Sequence, residues 1–154
     1  MSESRAATGI DAAARSRARR RALQALYAWQ MGGSSMEQVI HQFRHEQDME
    51  IADLEYFEDV LRGVEREHAA LAEALAPYLD RDIGQVDPVE RAALLQAAYE
   101  LRFRLDVPYR VVLNEAVEVT KRFGTDFGHT YVNGVLDRAA AEWRRAEYAA
   151  KPQA

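Results

Sequence analysis

The chain has 154 residues, of which 48% are hydrophobic and 29% charged, and a formal net charge of −5. That length suits one domain that can bury a core without staples. It has no cysteine, which excludes disulfides and thiolate metal sites and is compatible with a reducing compartment.

No apolar run approaches the roughly 20 residues that span a bilayer, and the first residues, MSESRAATGIDAAAR, lack the apolar segment of a secretory signal. A cytoplasmic location without membrane contact is expected. The charge is unevenly placed. Residues 1–21 hold six arginines against two acids, a net of +4, which leaves −9 for the rest. A basic end on an acidic body suggests one polyanionic partner and one basic partner. A solvated charged face is the plainer account.

Residues 1–14 are small, polar and aperiodic, and a disordered tail is expected there. A helix is expected from near Arg15. Ala18, Ala22, Ala25, Leu26 and Trp29 form one stripe on a 100° wheel. Arg15, Arg17, Arg19, Arg20 and Arg21 precede and interleave with it. Burying five unpaired guanidinium groups is prohibitive, so the first two turns are expected to project past the core, into solvent or onto phosphates. Tyr27 and Gln30 lie off the stripe, where each either hydrogen-bonds a base or closes the bundle rim.

Gly32 and Gly33 stop this helix, and Ser34 or Ser35 caps the next, which carries Met36, Val39, Ile40 and Phe43 to about Glu46. His41 and His45 are spaced i, i+4, but a third ligand and the glutamate of HExxH are missing, so no metal or other cofactor is expected. Ile51, Leu54, Phe57, Val60, Leu61 and Val64 form the following stripe. Leu71, Leu75 and Leu79 continue it after a break expected between Gly63 and His68. Pro77 ends or kinks that segment. Residues 81–87 read as a loop. Asp87 then caps a helix opened by Pro88, with Glu90 at the capping-box position, running to about Leu105. Its apolar residues cover much of the circumference, which fits a central buried helix. Pro108 opens another helix, stopped by Gly124. Val112, Ala116, Val119 and Phe123 line its face, widened by Val111 and Leu113. Thr125 or Asp126 is expected to cap the last helix, whose stripe is Val132, Val135, Leu136, Ala139 and Trp143 and which frays after about Glu147.

No segment alternates with period two, so the fold class is all-α, about seven helices in one compact domain. The folded part is expected over residues 15–147, with 148–154 as a second tail. GxSxG, P-loop, GxGxxG and HExxH motifs are all missing, and no enzyme is expected.

RRRALQALYAWQ, AAYEL, DVPYRVVLNEAVEVTKRFGT and HTYVNGVLDRAA together resemble the NusB family of bacterial transcription antitermination factors, over about residues 15–140. The resemblance implies two perpendicular three-helix bundles and an extra helix. It also implies binding of boxA RNA in nascent ribosomal transcripts, in a heterodimer with the ribosomal protein NusE, within the RNA polymerase antitermination complex. Some members form homodimers. Arg15, Arg17 and Arg19 match the arginine-rich helix start. Ser16 stands where a further arginine is expected, and Arg20 and Arg21 compensate. Tyr78 and Tyr131 match aromatics beside the RNA, where stacking is worth about 1–3 kcal/mol per base. The other account of Tyr131 is a bundle-edge tyrosine. Glu90 and Asp126 match acidic contacts to NusE, and capping is their other account. Phe127 departs from an acid common at that place and either strengthens the partner interface or favours self-association. Leu95-Gln96 departs from a Leu-Arg pair. The competing possibilities are a self-associating helical module without RNA function and a helix-turn-helix on DNA, the latter supported by the arginines alone.

Overall fold

The computed structural model describes residues 11–150, and the first ten residues and last four of the expected tails lie outside that range. Among the described residues there are seven α-helices and no strand. They are α1 (Ala12–Gly32), α2 (Met36–Arg44), α3 (Leu54–Leu75), α4 (Pro88–Phe103), α5 (Tyr109–Phe123), α6 (Gly128–Trp143) and α7 (Arg145–Ala149), with 3-10 turns at Gln47–Ile51, Ala76–Tyr78 and Ile83–Gln85. The chain forms two compact units, one up to Arg62 and one from Gly63, and α3 runs through the boundary.

In the first unit, α1 starts at Ala12, one turn earlier than expected. Asp11 makes the difference: its carboxylate accepts the Ala14 N–H as an N-cap. Gly33 ends the helix at φ +78°, a left-handed conformation that favours glycine. Ser35 opens α2 with a full capping box, its hydroxyl on the Gln38 N–H and the Gln38 side chain on the Ser35 N–H. The core holds Ala18, Ala22, Leu23, Ala25, Leu26, Met36, Val39, Ile40, Tyr56, Phe57, Val60 and Leu61. Leu23 is therefore core although it lies off the expected stripe. Trp29 is only partly buried. Ile51, placed on a helical stripe from sequence, sits in a 3-10 turn and is exposed.

The expected break in α3 does not occur. Gly63 sits mid-helix because a Cβ there would collide with the Tyr99 ring. It clears space for a buried aromatic that stacks on Phe103 at 5.4 Å. The helix ends where Pro77 requires, in the Ala76–Tyr78 turn.

In the second unit, α4, α5 and α6 each pack on the other two. α4 is the central member, with every residue from Ala92 to Leu101 buried. It stops at Phe103, and Leu105 is exposed. Val111 faces solvent, while Leu113 joins the core. Asp87 caps α4 through the Val89 and Glu90 N–H groups. Neither Thr125 nor Asp126 caps α6: its N-cap is Phe127, with no side-chain cap bond. α6 breaks at Arg144, and Tyr148 in α7 donates to Asp137, so part of the expected second tail is ordered.

Candidate nucleic-acid interface

The arginine-rich start of α1 is not a free basic surface. Arg19 is 3% exposed and donates to the Tyr56 hydroxyl at 3.4 Å. The Tyr56 ring lies between two guanidinium groups, Arg15 at 4.0 Å and Arg19 at 5.1 Å from its centroid. Arg15 also pairs with Asp53 at 3.4 Å. Asp53 in turn accepts the Tyr56 N–H and donates its own N–H to the Ala14 carbonyl. These contacts tie the N-terminal half of α1 to the start of α3. They correct the expectation that these turns project past the core. The desolvation objection holds for unpaired guanidinium groups, and here a phenol, a carboxylate and an aromatic face supply the partners.

The rest of the cluster divides by partner. Arg21 is held by Gln24 at 2.6 Å and Glu46 at 3.2 Å, over the Phe43 ring. Arg17 reaches the Ile51 carbonyl at the long distance of 3.4 Å. Arg20 is half-buried and has no hydrogen bond or ion pair among the described residues. Tyr27 is 40% exposed and Gln30 half-buried. Arg17, Arg20, Gln24, Tyr27 and Met31 follow one another at i, i+3, i+7, i+10 and i+14, which puts them on one side of α1. Arg17 and Arg20 are therefore the two cluster members with the weakest internal commitments.

In the second unit, Tyr78 and Tyr131 meet around one segment. Tyr131 donates to Asp80 at 3.0 Å, and Arg81 grips the same carboxylate with two bonds of 2.8 Å. The Arg81 guanidinium lies 5.4 Å from the Tyr131 ring centroid. Tyr78 donates to Glu142, sits edge-on to Trp143, and its carbonyl accepts from Arg138 at 2.7 Å. Burial, and then the carboxylate each one meets, raises both phenols above their usual range. Both stay neutral donors. Arg81 and Arg138 were missed from sequence, although Arg138 stands at i+7 from Tyr131 on α6.

The Arg81 bonds and, after them, the Tyr131 hydroxyl hold Asp80 down at about 2, against the opposing effect of burial. A depressed carboxylate contributes stability above its unfolded value and loses it as pH falls through its folded one. Arg81→Ala is therefore expected to return Asp80 toward about 3.9. Carboxyl carbon shifts followed against pH will show this, and an unmoved Asp80 titration would remove Arg81 as the cause.

The acidic residues lie at the α5–α6 turn. Glu90 does not complete a capping box. Its carboxylate faces the turn, accepting the Thr125 hydroxyl at 3.3 Å. A Cβ on Gly128 would sit 2.5 Å from it. Burial, then the Asp87 charge, raises the Glu90 carboxyl. Asp126 is exposed, and Phe127 is 81% exposed. Among the described residues no group of three or more His, Cys, Asp or Glu is placed to hold a metal ion, and no helix is long and apolar enough to cross a membrane.

Residues 16–141 match the NusB family profile. The transcription antitermination protein NusB of Xanthomonas axonopodis pv. citri is 64% identical over 139 residues, covering 90% of this chain and 87% of that one. Its counterpart in Stenotrophomonas maltophilia is 63% identical over the same length and shares. Among solved structures, T. maritima NusB superposes with a TM-score of 0.75 at 28% identity, over 87% of this chain and 96% of that one. A chain from a crystal structure of the antitermination factors NusB and NusE in complex with dsRNA superposes with a TM-score of 0.73 at 23% identity, over 92% of this chain and all of that one, which bears on the fold alone. A profile match over most of the chain and identities above 60% across nine-tenths of it give one result: the chain belongs to the NusB family.

Proposed function

We propose that this protein is a transcription antitermination factor that binds boxA RNA of nascent ribosomal transcripts together with NusE. In this role it promotes read-through within the RNA polymerase antitermination complex, in the cytoplasm, and catalyses no reaction. The observation that carries this is the 64% identity, over 90% of the chain, to a protein named for antitermination. The shared name at that identity is what supports the choice of partners, and the fold shared with a chain from a NusB–NusE–dsRNA complex is compatible with it.

On this account Arg17 and Arg20 meet phosphates, with Tyr27 and Gln30 beside them on α1. Tyr78 and Tyr131 offer stacking faces steadied by Glu142 and Asp80. Arg15 and Arg19 act indirectly, by fixing the helix through Tyr56. Glu90, Asp126 and Phe127 face NusE. The acids suit a basic protein surface, and Phe127 supplies apolar contact at its centre.

The test is binding of purified protein to wild-type and scrambled boxA RNA, with and without NusE, across a salt titration. Affinity is expected to prefer the wild-type RNA, to weaken with salt and to rise with NusE. Salt-independent affinity or indifference to NusE would defeat the proposal. A concentration-dependent homodimer abolished by Phe127→Asp, with no RNA binding, would establish the self-associating module in its place.

A further inference from the structure

The DVPYR…NEA and VNGVLD stretches supply residues that the boxA account leaves unused, and several of them line one cavity. It measures about 230 Å³ and is bounded by Tyr109, Arg110, Leu113 and Asn114 of α5, Asn133 and Asp137 of α6, and Tyr148 of α7. Of these, Leu113 and Tyr109 are buried. Asn114 and Asn133 are exposed, and neither has a hydrogen-bond partner among the described residues, so both carboxamides are open to a ligand at the cavity. Arg110 is likewise exposed and without an acid partner, its guanidinium 5.6 Å from the Tyr109 ring centroid. Asp137 is occupied: both its oxygens accept from the Tyr148 hydroxyl, at 3.1 and 3.2 Å. The Tyr109 and Tyr148 rings, both lining the cavity, lie 5.1 Å apart.

We propose that this cavity is a second nucleotide site, taking one adenine nucleotide of a single-stranded RNA outside the boxA contacts. A carboxamide presents a donor and an acceptor side by side, which is the complement of a base edge. Adenine satisfies two carboxamides at once, because one N6 hydrogen stands beside N7 and the other beside N1. Arg110 supplies the charge for the nucleotide's phosphate. The cavity is smaller than the roughly 300 Å³ at which drug-sized pockets begin, which limits it to one base. A metal is not its ligand, since the single carboxylate is already engaged.

The site is tested apart from boxA and NusE, so its failure and that of the antitermination proposal are separable. The full chain is titrated with 5′-AMP while the side-chain amide signals of Asn114 and Asn133 are followed by NMR. Both are expected to shift and saturate in the millimolar range. AMP should bind more tightly than adenosine, and UMP should move them less. Asn114→Ala and Asn133→Ala should each lower affinity about tenfold with the fold intact by circular dichroism. Arg110→Ala should erase the advantage of AMP over adenosine. Still amide signals with AMP would overturn the site, and UMP shifts as large as those of AMP would overturn the adenine assignment. Shifts produced by a capped dipeptide and not by AMP would show that the cavity docks protein.

Discussion

Arg144→Ala is expected to lower the stability of the folded chain by about 3–5 kcal/mol, the cost of breaking a buried, fully bonded charge. Arg144 is 7% exposed. Its Nε donates to the Leu101 carbonyl at 2.8 Å, and its Nη2 to the Glu100 and Arg104 carbonyls at 3.3 and 3.1 Å. These acceptors lie at the C-terminal end of α4, where a helix leaves carbonyls unsatisfied and a cation is favoured by the dipole. Nη1 holds Glu147 at 2.6 Å, and the other Glu147 oxygen accepts the Tyr109 N–H at the start of α5. One side chain therefore closes the end of α4, and through Glu147 also the start of α5. Truncation strands the Leu101 carbonyl, takes a second donor from the Glu100 and Arg104 carbonyls, which keep the Arg104 and Val107 N–H groups, and frees Glu147 from its guanidinium. Burial alone would raise the Glu147 carboxyl, but the Tyr109 N–H and Arg144 outweigh it and leave it lowered. Its stabilising contribution is present above about pH 4.3 and fades as pH falls, so the variant should also lose less stability on acidification. Denaturant midpoints at neutral and acid pH measure both effects. A loss under about 1 kcal/mol would mean that water replaces the guanidinium at those carbonyls.

Arg144 also shows where sequence patterning stops. Periodicity places the helices of the second unit, because apolar spacing, Asp87-Pro88 and Pro108 are local signals read by the same backbone that they shape. It misses Arg144, a charged residue beyond the last apolar stripe, because its carbonyl partners lie 40 or more positions away, at the end of α4. The supposed break at Gly63 fails for a related reason. A helical glycine looks like a weakness until the Tyr99 ring is seen to occupy the missing Cβ position. Glu90 has the spacing of a reciprocal cap, but its carboxylate turns to Thr125. Tyr78 and Tyr131, singled out only through the family resemblance, do converge on residues 78–81, with Arg81 and Arg138 beside them. The arginine cluster is legible as a cluster and illegible in its division of labour, which is set by Tyr56 and Asp53 from a distant part of the chain.

That division yields the strongest expectation for RNA binding. Replacing Arg17 and Arg20 together with alanine should flatten the dependence of log K on log salt by about 1.4, at roughly 0.7 for each phosphate left without its cation on single-stranded RNA. Near 0.1 M salt the same slope corresponds to about 25-fold weaker boxA binding. Neither arginine holds the fold, since Arg17 makes one long bond to the Ile51 carbonyl and Arg20 has none among the described residues. Stability should therefore stay within about 0.5 kcal/mol, as surface changes do. Arg19→Ala should do the opposite. It removes a buried stem and the donor to Tyr56, at a cost of about 2–4 kcal/mol, while the salt slope stays that of the parent wherever the protein is folded. Tyr56→Phe separates the two effects further. It keeps the ring between Arg15 and Arg19 and deletes only the hydroxyl, for about 1–3 kcal/mol of stability and no change in slope. The comparison is read from salt titrations of boxA affinity beside denaturant melts of the parent and the three variants. If Arg19→Ala flattens the slope as much as the Arg17 and Arg20 pair does, α1 must release its buried arginine to the RNA, and the stack on Tyr56 is then a gate that boxA opens.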